Sequence, residues 1–457
     1  MEFAQIFDII VIGGGPGGYH FANLSAKRGF SVALFEERSL GGTCLNEGCI
    51  PSKSFLKSAK IVDSINHSKE FGVIVDNFSV DQPSVVERKN VVVNKLVMGV
   101  RGGLRKNKVK LFFSHANILQ KDGDTFAVES DGKIFGANKL IIATGSEVII
   151  PSIKGVDEAI RSSFALTSRE ILDINIIPSH LVVVGAGVIG LEMASYFCSM
   201  GAKVTVVEGT SKICRFADNE CSKILENNLT ARGIEFIFNS MVEEITQNSV
   251  VISSNGEKCS LECDKVLLAI GRKARVEGFG LENLNLDYSN RGIFVDGNMQ
   301  TTQPNVYAVG DVNGKSMLAH TAYKEAEVCI DVICGQSENI NYDNIPSIVY
   351  TSPEFSSVGI SEEIALDRGI NFTVKKLPMI YSGKFVTENL NVNGICKIII
   401  DNDSNKIIGA MMIGDGAGEV ILALSNMISL EIPVSKICKF VFPHPSIGEI
   451  IKDTLNS

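Results

Sequence analysis

The hydrophobic pattern at the start of the chain predicts a βαβ unit. Residues 7–13, FDIIVIG, form an apolar run rich in β-branched side chains, which is typical of a parallel strand buried on both faces. A glycine-rich turn and a predicted helix follow, and a second apolar run, SVALFEE, occupies residues 31–37. This order of elements is the repeating unit of a doubly wound α/β sheet.

The same pattern returns later in the chain. Residues 180–187, HLVVVGAG, predict another buried strand, residues 188–201 predict a helix, and KVTVVE at residues 203–208 predicts the next strand. The two glycine turns begin 172 residues apart (185 − 13 = 172). One fold element is therefore expected twice.

The rest of the chain differs from these units. A charged stretch around residues 83–106 predicts a helix. From about residue 347 the hydrophobic pattern predicts antiparallel strands, followed by helices at 418–431 and from Ser446. Further strands are expected at 139–145, 249–254 and 265–271, and residues 301–312 are expected to form a turn that leads into another buried strand. The expected fold is α/β, with two Rossmann-like dinucleotide-binding domains and a C-terminal α+β domain. The expected segments are residues 1–150 and 276–346 for the first of these domains, 151–275 for the second and 347–457 for the last.

Composition narrows the range of functions. The formal net charge of −9 over 457 residues argues against a broad nucleic-acid-binding surface. No basic region precedes the first apolar run, and the apolar stretches end before the ~18 residues that span a bilayer. The 11 cysteines are scattered, unlike those of a small secreted domain. We therefore expect a cytoplasmic protein, with an organellar form that has lost a transit peptide as the alternative.

Each glycine turn has the spacing of a dinucleotide site. The first glycine of such a turn permits the tight bend, the second admits the pyrophosphate to the backbone, and the third lets helix and strand pack closely. An acid about 20 residues further on can bond a ribose hydroxyl. The turns and their acids are Gly13, Gly15, Gly18 and Glu36, and Gly185, Gly187, Gly190 and Glu208. A single turn of this kind could be purely structural, but two predict two dinucleotides, a flavin and a nicotinamide.

The second acid bears on which nicotinamide is bound. Glu208 would bond a free 2′-hydroxyl and repel a 2′-phosphate, which favours NAD. Lys212 and Arg215 follow closely and keep NADP as the alternative.

Two cysteines in the stretch GGTCLNEGCIPSK, residues 41–53, have three interpretations. Zinc would need two further ligands at recognisable spacing, and a static disulfide is unusual in the cytoplasm. The third interpretation is a redox pair at the start of a helix, since Pro51 suits a first helical turn and a helix N-terminus stabilises a thiolate.

This stretch resembles the active-site motif of the flavin-dependent pyridine nucleotide-disulfide oxidoreductases, above all the dihydrolipoamide dehydrogenase branch. The resemblance extends along nearly the whole chain in order. It includes both glycine turns and the motifs IIATG (141–145), AIGR (269–272), YAVGDV (307–312), MLAH (317–320), GAGE (416–419) and HPSIGE (444–449).

The resemblance implies roles for individual residues. Cys44 is similar to the thiol that exchanges with substrate, and Cys49 to the thiol that lies against the flavin. Lys53 is similar to the residue near the flavin N5, paired with Glu192, and Asp311 resembles a contact to the ribityl chain. The resemblance implies FAD for the first domain and NAD for the second, with further cofactor contacts at Gly42, Thr43, Thr144, Gly145, Gly271, Arg272, Gly310, Met317, Leu318, Ala319 and His320.

The C-terminal motif supplies a base. His444 would take a proton from an incoming dithiol, and Glu449 would orient its imidazole, since the thiolate and not the thiol is the nucleophile. A histidine before proline near a C-terminus is by itself more often a loop or cap residue. In the family this histidine comes from the second subunit, so the resemblance implies an obligatory homodimer and a dimerisation role for the last domain.

The substrate class is indicated by what the first helix lacks. Asn23 stands where glutathione-reducing relatives carry an arginine, and GAGE and MLAH also favour the branch that oxidises protein-bound dihydrolipoyl-lysine to lipoyl-lysine with NAD⁺. The expected partner is a lipoyl domain of the acyltransferase core of a 2-oxo acid dehydrogenase complex or a glycine-cleavage carrier protein, with no metal, nucleic acid or membrane. The alternatives are an NAD(P)H-dependent flavin reductase of another disulfide, such as glutathione, and a non-catalytic subunit. Two departures from the family pattern, Phe442–Pro443 and Ser352, lie in the last domain.

Overall fold

The computed structural model describes residues 1–254, 256–336 and 339–457. The chain divides into two compact units, each built from three segments. The first unit comprises Met1–Ser54, Glu87–Ile149 and Gly271–Ile340, and the second comprises Phe55–Val86, Ile150–Ile270 and Asn341–Ser457.

The strands of the described residues are β1 (Gln5–Ile12), β2 (Val32–Phe35), β3 (Lys110–Phe112), β4 (Asn117–Ile118), β5 (Phe126–Ser130), β6 (Lys133–Ile142), β7 (Ser146–Val148), β8 (Ala165–Leu166), β9 (His180–Val184), β10 (Lys203–Val207), β11 (Ile234–Ile237), β12 (Ser240–Ile245), β13 (Ser249–Ser254), β14 (Glu257–Glu262), β15 (Lys265–Leu268), β16 (Arg272–Ala274), β17 (Tyr288–Ser289), β18 (Gly292–Ile293), β19 (Val306–Ala308), β20 (Ser347–Val349), β21 (Phe355–Gly359), β22 (Phe372–Pro378), β23 (Ile395–Asp401) and β24 (Lys406–Ile413).

The α-helices of the same residues are α1 (Pro16–Lys27), α2 (Gly42–Glu47), α3 (Cys49–Asn66), α4 (Gln82–Lys106), α5 (Val156–Arg161), α6 (Val188–Ser199), α7 (Asn219–Ala231), α8 (Ala319–Ile333), α9 (Glu362–Asp367), α10 (Gly383–Glu388), α11 (Ala417–Ser429), α12 (Val434–Ile437) and α13 (Glu449–Asn456). Short 3₁₀ helices occur at Ser68–Phe71, Glu170–Asp173, Leu281–Asn283, Asp311–Asn313, Tyr342–Asn344 and Met379–Tyr381.

The sheet of the first unit has the strand order β3-β2-β1-β6-β5-β4, with β19 also paired to β6. Strand β1 is central and parallel to both β2 and β6. Its alternate side chains enter different apolar clusters: Ile9 and Val11 pack with Phe21 of α1, whereas Ile10 and Ile12 pack on the other face. Burial on both faces explains why this strand is apolar without interruption.

The second unit repeats this arrangement. Its sheet has the order β11-β10-β9-β15-β8, and the pairs that flank β9 are parallel. Val182 and Val184 enter one apolar cluster, while Leu181 and Val183 enter another together with Phe197 of α6. A separate antiparallel sheet, β12-β13-β14, follows.

The last part of the second unit is an antiparallel sheet with the order β20-β21-β24-β23-β22. Helix α11 packs on β21 and β24, and α13 packs on β22 and β23. Ile398 and Met412 of the sheet share an apolar cluster with Ile421 of α11 and Ile451 of α13. The predicted fold class, two doubly wound α/β modules and an α+β module, is confirmed.

The region of the two cysteines differs locally from the sequence prediction of one helix start. Cys44 lies inside the short helix α2, and Cys49 is the first residue of the separate helix α3. Gly41 and Gly42 both have positive φ angles, +98° and +58°, which side-chain-bearing residues rarely adopt. Pro51 lies in the first turn of α3, where its missing N–H costs no hydrogen bond.

Candidate functional site

The first glycine turn joins β1 to α1 in a bend that only glycine fits. Gly13 has a φ of +104°, and a Cβ at this position would lie 2.2 Å from the carbonyl oxygen of Ala143. A Cβ at Gly18 would lie 1.9 Å from the carbonyl oxygen of Gly13. Helix α1 starts directly after Gly15, so its N-terminal N–H groups face the space in front of the turn. Because the turn has no side chains, a ligand can come close to the helix N-terminus, which suits a pyrophosphate.

The acid that comes after β2 is fixed against this turn. Glu36 is buried, and its Oε2 accepts the N–H of Gly14 at 2.7 Å. Its Oε1 accepts the N–H groups of Arg38 and Ser39 at 2.7 and 3.1 Å. The carboxylate therefore has one orientation, at the place where a ribose hydroxyl is bound in dinucleotide folds.

The cysteine segment lies against the same turn. A Cβ on Gly42 would approach the Cα of Gly15 to 2.7 Å, so the two backbones are in contact. The side chains of Cys44 and Cys49 are hydrogen-bonded, and this bond is the main cause that raises the pKa of Cys44. Burial raises the pKa of Cys44 further, whereas the nearby Lys53 lowers it. Two hydrogen-bonded thiols with a cation nearby suit a dithiol that can form and break a disulfide.

A polar network runs from this segment across the first unit. The Oγ of Ser146 donates to the carboxylate of Asp311 at 2.5 Å and accepts from the guanidinium of Arg272 at 2.8 Å. Arg272 also donates to the hydroxyl of Thr43, beside Cys44, at 3.3 Å. Burial raises the pKa of Asp311, an effect that Ser146 and Arg272 oppose. Sequence reasoning found three members of this network but missed Ser146, although it directly follows the motif IIATG.

The other predicted contacts of the first unit border this network. Thr144 donates to the carbonyl of Arg275 at 2.8 Å, and the N–H of Gly310 donates to the buried carboxylate of Glu325 at 2.6 Å. Glu325 carried no motif, so the sequence did not identify it. The remaining residues predicted as flavin contacts lie at turns or at the start of α8: Gly145, Gly271, Met317, Leu318, Ala319 and His320.

A pair of tyrosines, also missed by sequence reasoning, lies near enough to the two cysteines to interact with them electrostatically. The hydroxyls of Tyr19 on α1 and Tyr323 on α8 are hydrogen-bonded, and their rings meet edge to face with centroids 5.9 Å apart. Burial raises the pKa of both hydroxyls, and both Cys44 and Cys49 raise them further. The four groups therefore share one electrostatic environment.

The second glycine turn reproduces the first within the second unit. Gly185 has a φ of +106°, and a Cβ there would lie 2.6 Å from the carbonyl oxygen of Ala269. A Cβ at Gly190 would lie 2.1 Å from the carbonyl oxygen of Gly185. Helix α6 starts directly after Gly187, and an added Cβ there would have no atom of the described residues within 4 Å apart from its own chain neighbours. This turn is therefore open to a ligand.

Two acids accompany the second turn. The carboxylate of Glu208 accepts the N–H of Ala186 at 2.8 Å and both the N–H and the hydroxyl of Thr210, at 2.9 and 2.7 Å. Glu192 is buried on α6 and accepts the N–H of Tyr350 at 3.1 Å.

The predicted pair of His444 and Glu449 lies at the start of α13. His444 Nδ1 lies 3.0 Å from Glu449 Oε1, and Glu449 Oε2 accepts the N–H of Ser446 at 2.8 Å. The Ser446 N–H and His444 hold the pKa of Glu449 below its usual value. The histidine side chain is 80% exposed, so its second nitrogen faces outward.

The departure at Ser352 has a structural partner. Its hydroxyl accepts from the guanidinium of Arg232 at 3.3 Å, and that guanidinium also binds Asp63 at 2.6 Å and Ser199 at 2.9 Å. The departure at Phe442 packs against the apolar cluster of the C-terminal sheet.

No group of three or more His, Cys, Asp or Glu side chains within residues 1–254, 256–336 and 339–457 is placed to hold a metal ion. None of the helices formed by these residues combines the length and the apolar character that crossing a membrane requires.

Two dinucleotide turns, one of them adjoining a cysteine pair, define an oxidoreductase that couples disulfide chemistry to nucleotide cofactors. The profile of the family described as pyridine nucleotide-disulphide oxidoreductase matches residues 7–326, and that of its dimerisation domain matches residues 345–455. The chain belongs to the pyridine nucleotide-disulphide oxidoreductase family.

Individual proteins are similar over the full length. Dihydrolipoyl dehydrogenase of Chlamydia muridarum is 36% identical over 449 residues, which cover 98% of this chain and 95% of the relative. Dihydrolipoyl dehydrogenase of Staphylococcus aureus is 34% identical over 455 residues, 98% of this chain and 96% of the relative. The structure of the HOCl-induced flavoprotein disulfide reductase RclA from Escherichia coli, a Cu(II) complex, superposes with a TM-score of 0.87 at 27% identity and covers 100% of this chain and 99% of that one.

These comparisons confirm several predictions. The resemblance to this family is confirmed, as is the prediction of an enzyme. Members of the family use FAD and NAD, in agreement with the two predicted cofactors. The match to the dimerisation domain supports the predicted homodimer.

Proposed function

We propose that the chain oxidises protein-bound dihydrolipoyl-lysine to lipoyl-lysine and reduces NAD⁺. The observation that carries the proposal is the hydrogen bond between the Cys44 and Cys49 side chains beside the first glycine turn. The names and identities of the full-length relatives support it, and they do not favour a glutathione-type disulfide as substrate.

The residues of both turns fit dinucleotides. We assign FAD to the Gly13–Gly18 turn with Glu36 and Asp311, and NAD to the Gly185–Gly190 turn with Glu208. The bends leave no room for a Cβ at their first and third glycines, and each presents a helix N-terminus. When bound, the two cofactors would supply the acceptor for the two electrons that the cysteine pair takes up from the substrate.

The cysteines perform the exchange with substrate. A substrate thiolate attacks the Cys44 sulfur of an oxidised Cys44–Cys49 pair, which forms a mixed disulfide and releases Cys49 as a thiolate. The second substrate thiol, as a thiolate, then displaces Cys44 and closes the lipoyl disulfide. The substrate loses two electrons and two protons, and the cysteine pair gains the electrons.

The protons need an acceptor. His444 takes the proton of the first substrate thiol, and the displaced Cys44 thiolate takes the proton of the second. Glu449 holds the imidazole through Nδ1, so that the other nitrogen is presented outward. Because Ser446 fixes the second oxygen of Glu449, the carboxylate keeps its orientation while the histidine changes charge.

The remaining assignments are proposals of the same kind. Lys53, Glu192, Thr43, Arg272 and Gly310 serve the cofactors, together with the other contacts that the sequence predicted. The four expected segments, 1–150, 151–275, 276–346 and 347–457, are the first flavin-binding part, the nicotinamide-binding part, the second flavin-binding part and the dimerisation part. The partner is a lipoyl domain of a 2-oxo acid dehydrogenase complex or a glycine-cleavage carrier protein, and the location is the cytoplasm.

The test is the steady-state rate of NAD⁺ reduction with dihydrolipoamide. Cys44→Ser should lower this rate by on the order of 10³-fold or more, because the exchange step loses its nucleophile. Cys259→Ser, at an exposed cysteine of β14, is the matched control and should retain the wild-type rate. Full turnover by Cys44→Ser, or faster turnover of glutathione disulfide with NADPH by the wild type, would contradict the proposal.

A further inference from the structure

The orientation of Glu208 depends on a side chain that no motif includes. Both the N–H and the hydroxyl of Thr210 donate to Glu208 Oε1, at 2.9 and 2.7 Å. The other oxygen accepts the N–H of Ala186, the middle residue between Gly185 and Gly187. Thr210 thus turns the carboxylate toward the glycine turn.

The first unit holds its acid differently. The donors to Glu36 named above, from Gly14, Arg38 and Ser39, are backbone N–H groups, which a substitution does not remove. In the second unit one of the three donors is a hydroxyl that a single substitution can remove. The orientation of Glu208 is therefore adjustable through Thr210.

The cation closest along the chain to Glu208 is restrained as well. The ammonium of Lys212 donates to the carbonyl of Ala217 at 2.9 Å and to the side-chain oxygen of Asn219 at 3.0 Å. Both partners lie further along the chain, toward α7, so these bonds hold the charge on that side. A 2′-phosphate is normally recognised by a cation near the acid position.

A cavity lies beside these residues. Its volume is about 290 Å³, and its lining includes Lys212, Asn219 and Lys223 together with the acid Glu226, which is paired with Lys223. Without Asn219, Lys212 would keep its bond to the carbonyl of Ala217 and still line this cavity, where its remaining N–H groups would pair with an additional phosphate.

We propose that Thr210 and Asn219 are positioning residues that set the preference for NAD over NADP. Thr210 orients Glu208 toward a free ribose hydroxyl, and Asn219 keeps Lys212 away from the position of a 2′-phosphate. This inference rests on the proposed assignment of NAD to the second turn.

The test measures binding of NAD⁺ and NADP⁺ to the flavin-containing protein by calorimetry, because neither nucleotide reduces an oxidised flavin. Thr210→Val should weaken NAD⁺ binding about tenfold with little change for NADP⁺, since a hydrogen bond to a charged group is lost. Thr210→Ser, which keeps the hydroxyl, should bind NAD⁺ as the wild type does. Equal NAD⁺ affinity of the valine variant and the wild type would overturn the role of Thr210.

Asn219→Ala tests the proposed role of Asn219. It should tighten NADP⁺ binding by about three- to tenfold and leave NAD⁺ unchanged, and high salt should abolish this gain because it arises from charge pairing. Asn227→Ala, at an exposed asparagine of the same helix, is the matched control. Unchanged NADP⁺ affinity in Asn219→Ala would overturn the role of Asn219. If the wild type itself bound NADP⁺ more tightly than NAD⁺, the proposed cofactor assignment would fail as well. If the wild type favours NAD⁺ and its variants keep the same ratio of the two affinities, only the roles of Thr210 and Asn219 fail.

Discussion

The two glycine turns have nearly the same geometry, yet their surroundings differ. Gly13 and Gly185 have φ angles of +104° and +106°, and each faces a carbonyl oxygen at the end of the neighbouring strand. In the first turn Gly15 has the cysteine segment in contact with it, through Gly42. In the second turn Gly187 has no protein atom of the described chain within 4 Å of an added Cβ.

The segment after each acid accounts for this difference. After Glu36 the chain enters α2 and α3, which carry Cys44 and Cys49, so the proposed redox pair adjoins the first turn. After Glu208 the chain forms a short polar segment that leads to α7. The same βαβ unit therefore occurs twice, and the two copies differ in the segment that follows their second strand.

The largest expected effect comes from filling one bend at a time. Gly13→Ala places a Cβ 2.2 Å from the carbonyl oxygen of Ala143, and Gly185→Ala places one 2.6 Å from that of Ala269. Gly13→Ala should yield protein that has lost its flavin, while Gly185→Ala should keep flavin and weaken NAD⁺ binding by about 100-fold, or about 2.7 kcal/mol. Flavin absorbance and calorimetry measure the two effects separately.

The chain provides matched controls for this pair. Gly29 and Gly201 lie two residues after the ends of α1 and α6, with φ angles of +93° and +97°, and an added Cβ at either position meets nothing within 4 Å. Alanine at these positions carries the same backbone strain, of about 1 kcal/mol, without the clash. Loss of flavin in Gly185→Ala, or of NAD⁺ binding alone in Gly13→Ala, would reverse the assignment of the turns.

A smaller effect should separate ligand binding from folding. A Cβ at Gly187 meets no protein atom of the described residues, and one at Gly15 meets only the Cα of Gly42 at 3.8 Å, an ordinary contact. Alanine at either position should leave the melting temperature of the cofactor-free protein unchanged. It should weaken the nucleotide of its own turn by about tenfold or more, because a pyrophosphate approaches the backbone there.

The outcome of this pair distinguishes two roles of a glycine. A drop in the melting temperature without loss of nucleotide would mean that the second glycine serves the fold and not a ligand. Unchanged binding in Gly187→Ala would place the nicotinamide dinucleotide elsewhere.

The two βαβ units could be predicted because their signals are local. The apolar run, the glycine spacing and the acid lie within about 30 residues of one another, the size of one supersecondary unit. The cysteine motif is also contiguous, so both sulfurs were identified. The separation of α2 from α3 was missed because Gly48 divides a stretch that otherwise predicts one helix start.

The supporting residues could not be found in the same way. Tyr19 and Tyr323 are 304 positions apart, and Ser146 and Asp311 are 165 apart, so only the folded sheet brings them together. Thr210 lies close to Glu208 in the sequence, but its role depends on the direction of one hydroxyl. A serine, threonine or tyrosine without a motif has no periodicity that would distinguish it from a surface residue.

The smallest expected effect concerns one carboxylate in each unit that bonds the central strand to a neighbouring strand. In the first unit the carboxylate of Asp8 accepts the N–H and the hydroxyl of Ser31, at 2.7 and 2.6 Å. In the second unit Asp264 accepts the N–H of His180 at 3.0 Å. Ser31 lowers the pKa of Asp8, and the His180 N–H lowers that of Asp264.

The sign of the pH dependence is set by these lowered values. A carboxylate whose pKa is lower in the folded than in the unfolded chain stabilises the fold above about pH 3.9, and this contribution is lost as the pH falls through the folded value. Asp8→Asn should therefore lower the free energy of unfolding at pH 7 by less than about 1 kcal/mol, since water screens the partly exposed group. The difference from the wild type should shrink as the pH is lowered below about 3.9. Urea unfolding across this range measures it, with the exposed Asp124→Asn as control. Asp264→Asn should show the same trend more weakly, because Asp264 is the more exposed of the two. If the difference in unfolding free energy between Asp8→Asn and the wild type grew on acidification, the Asp8 carboxylate would destabilise the first unit. The parallel between Asp8 and Asp264 would then be wrong.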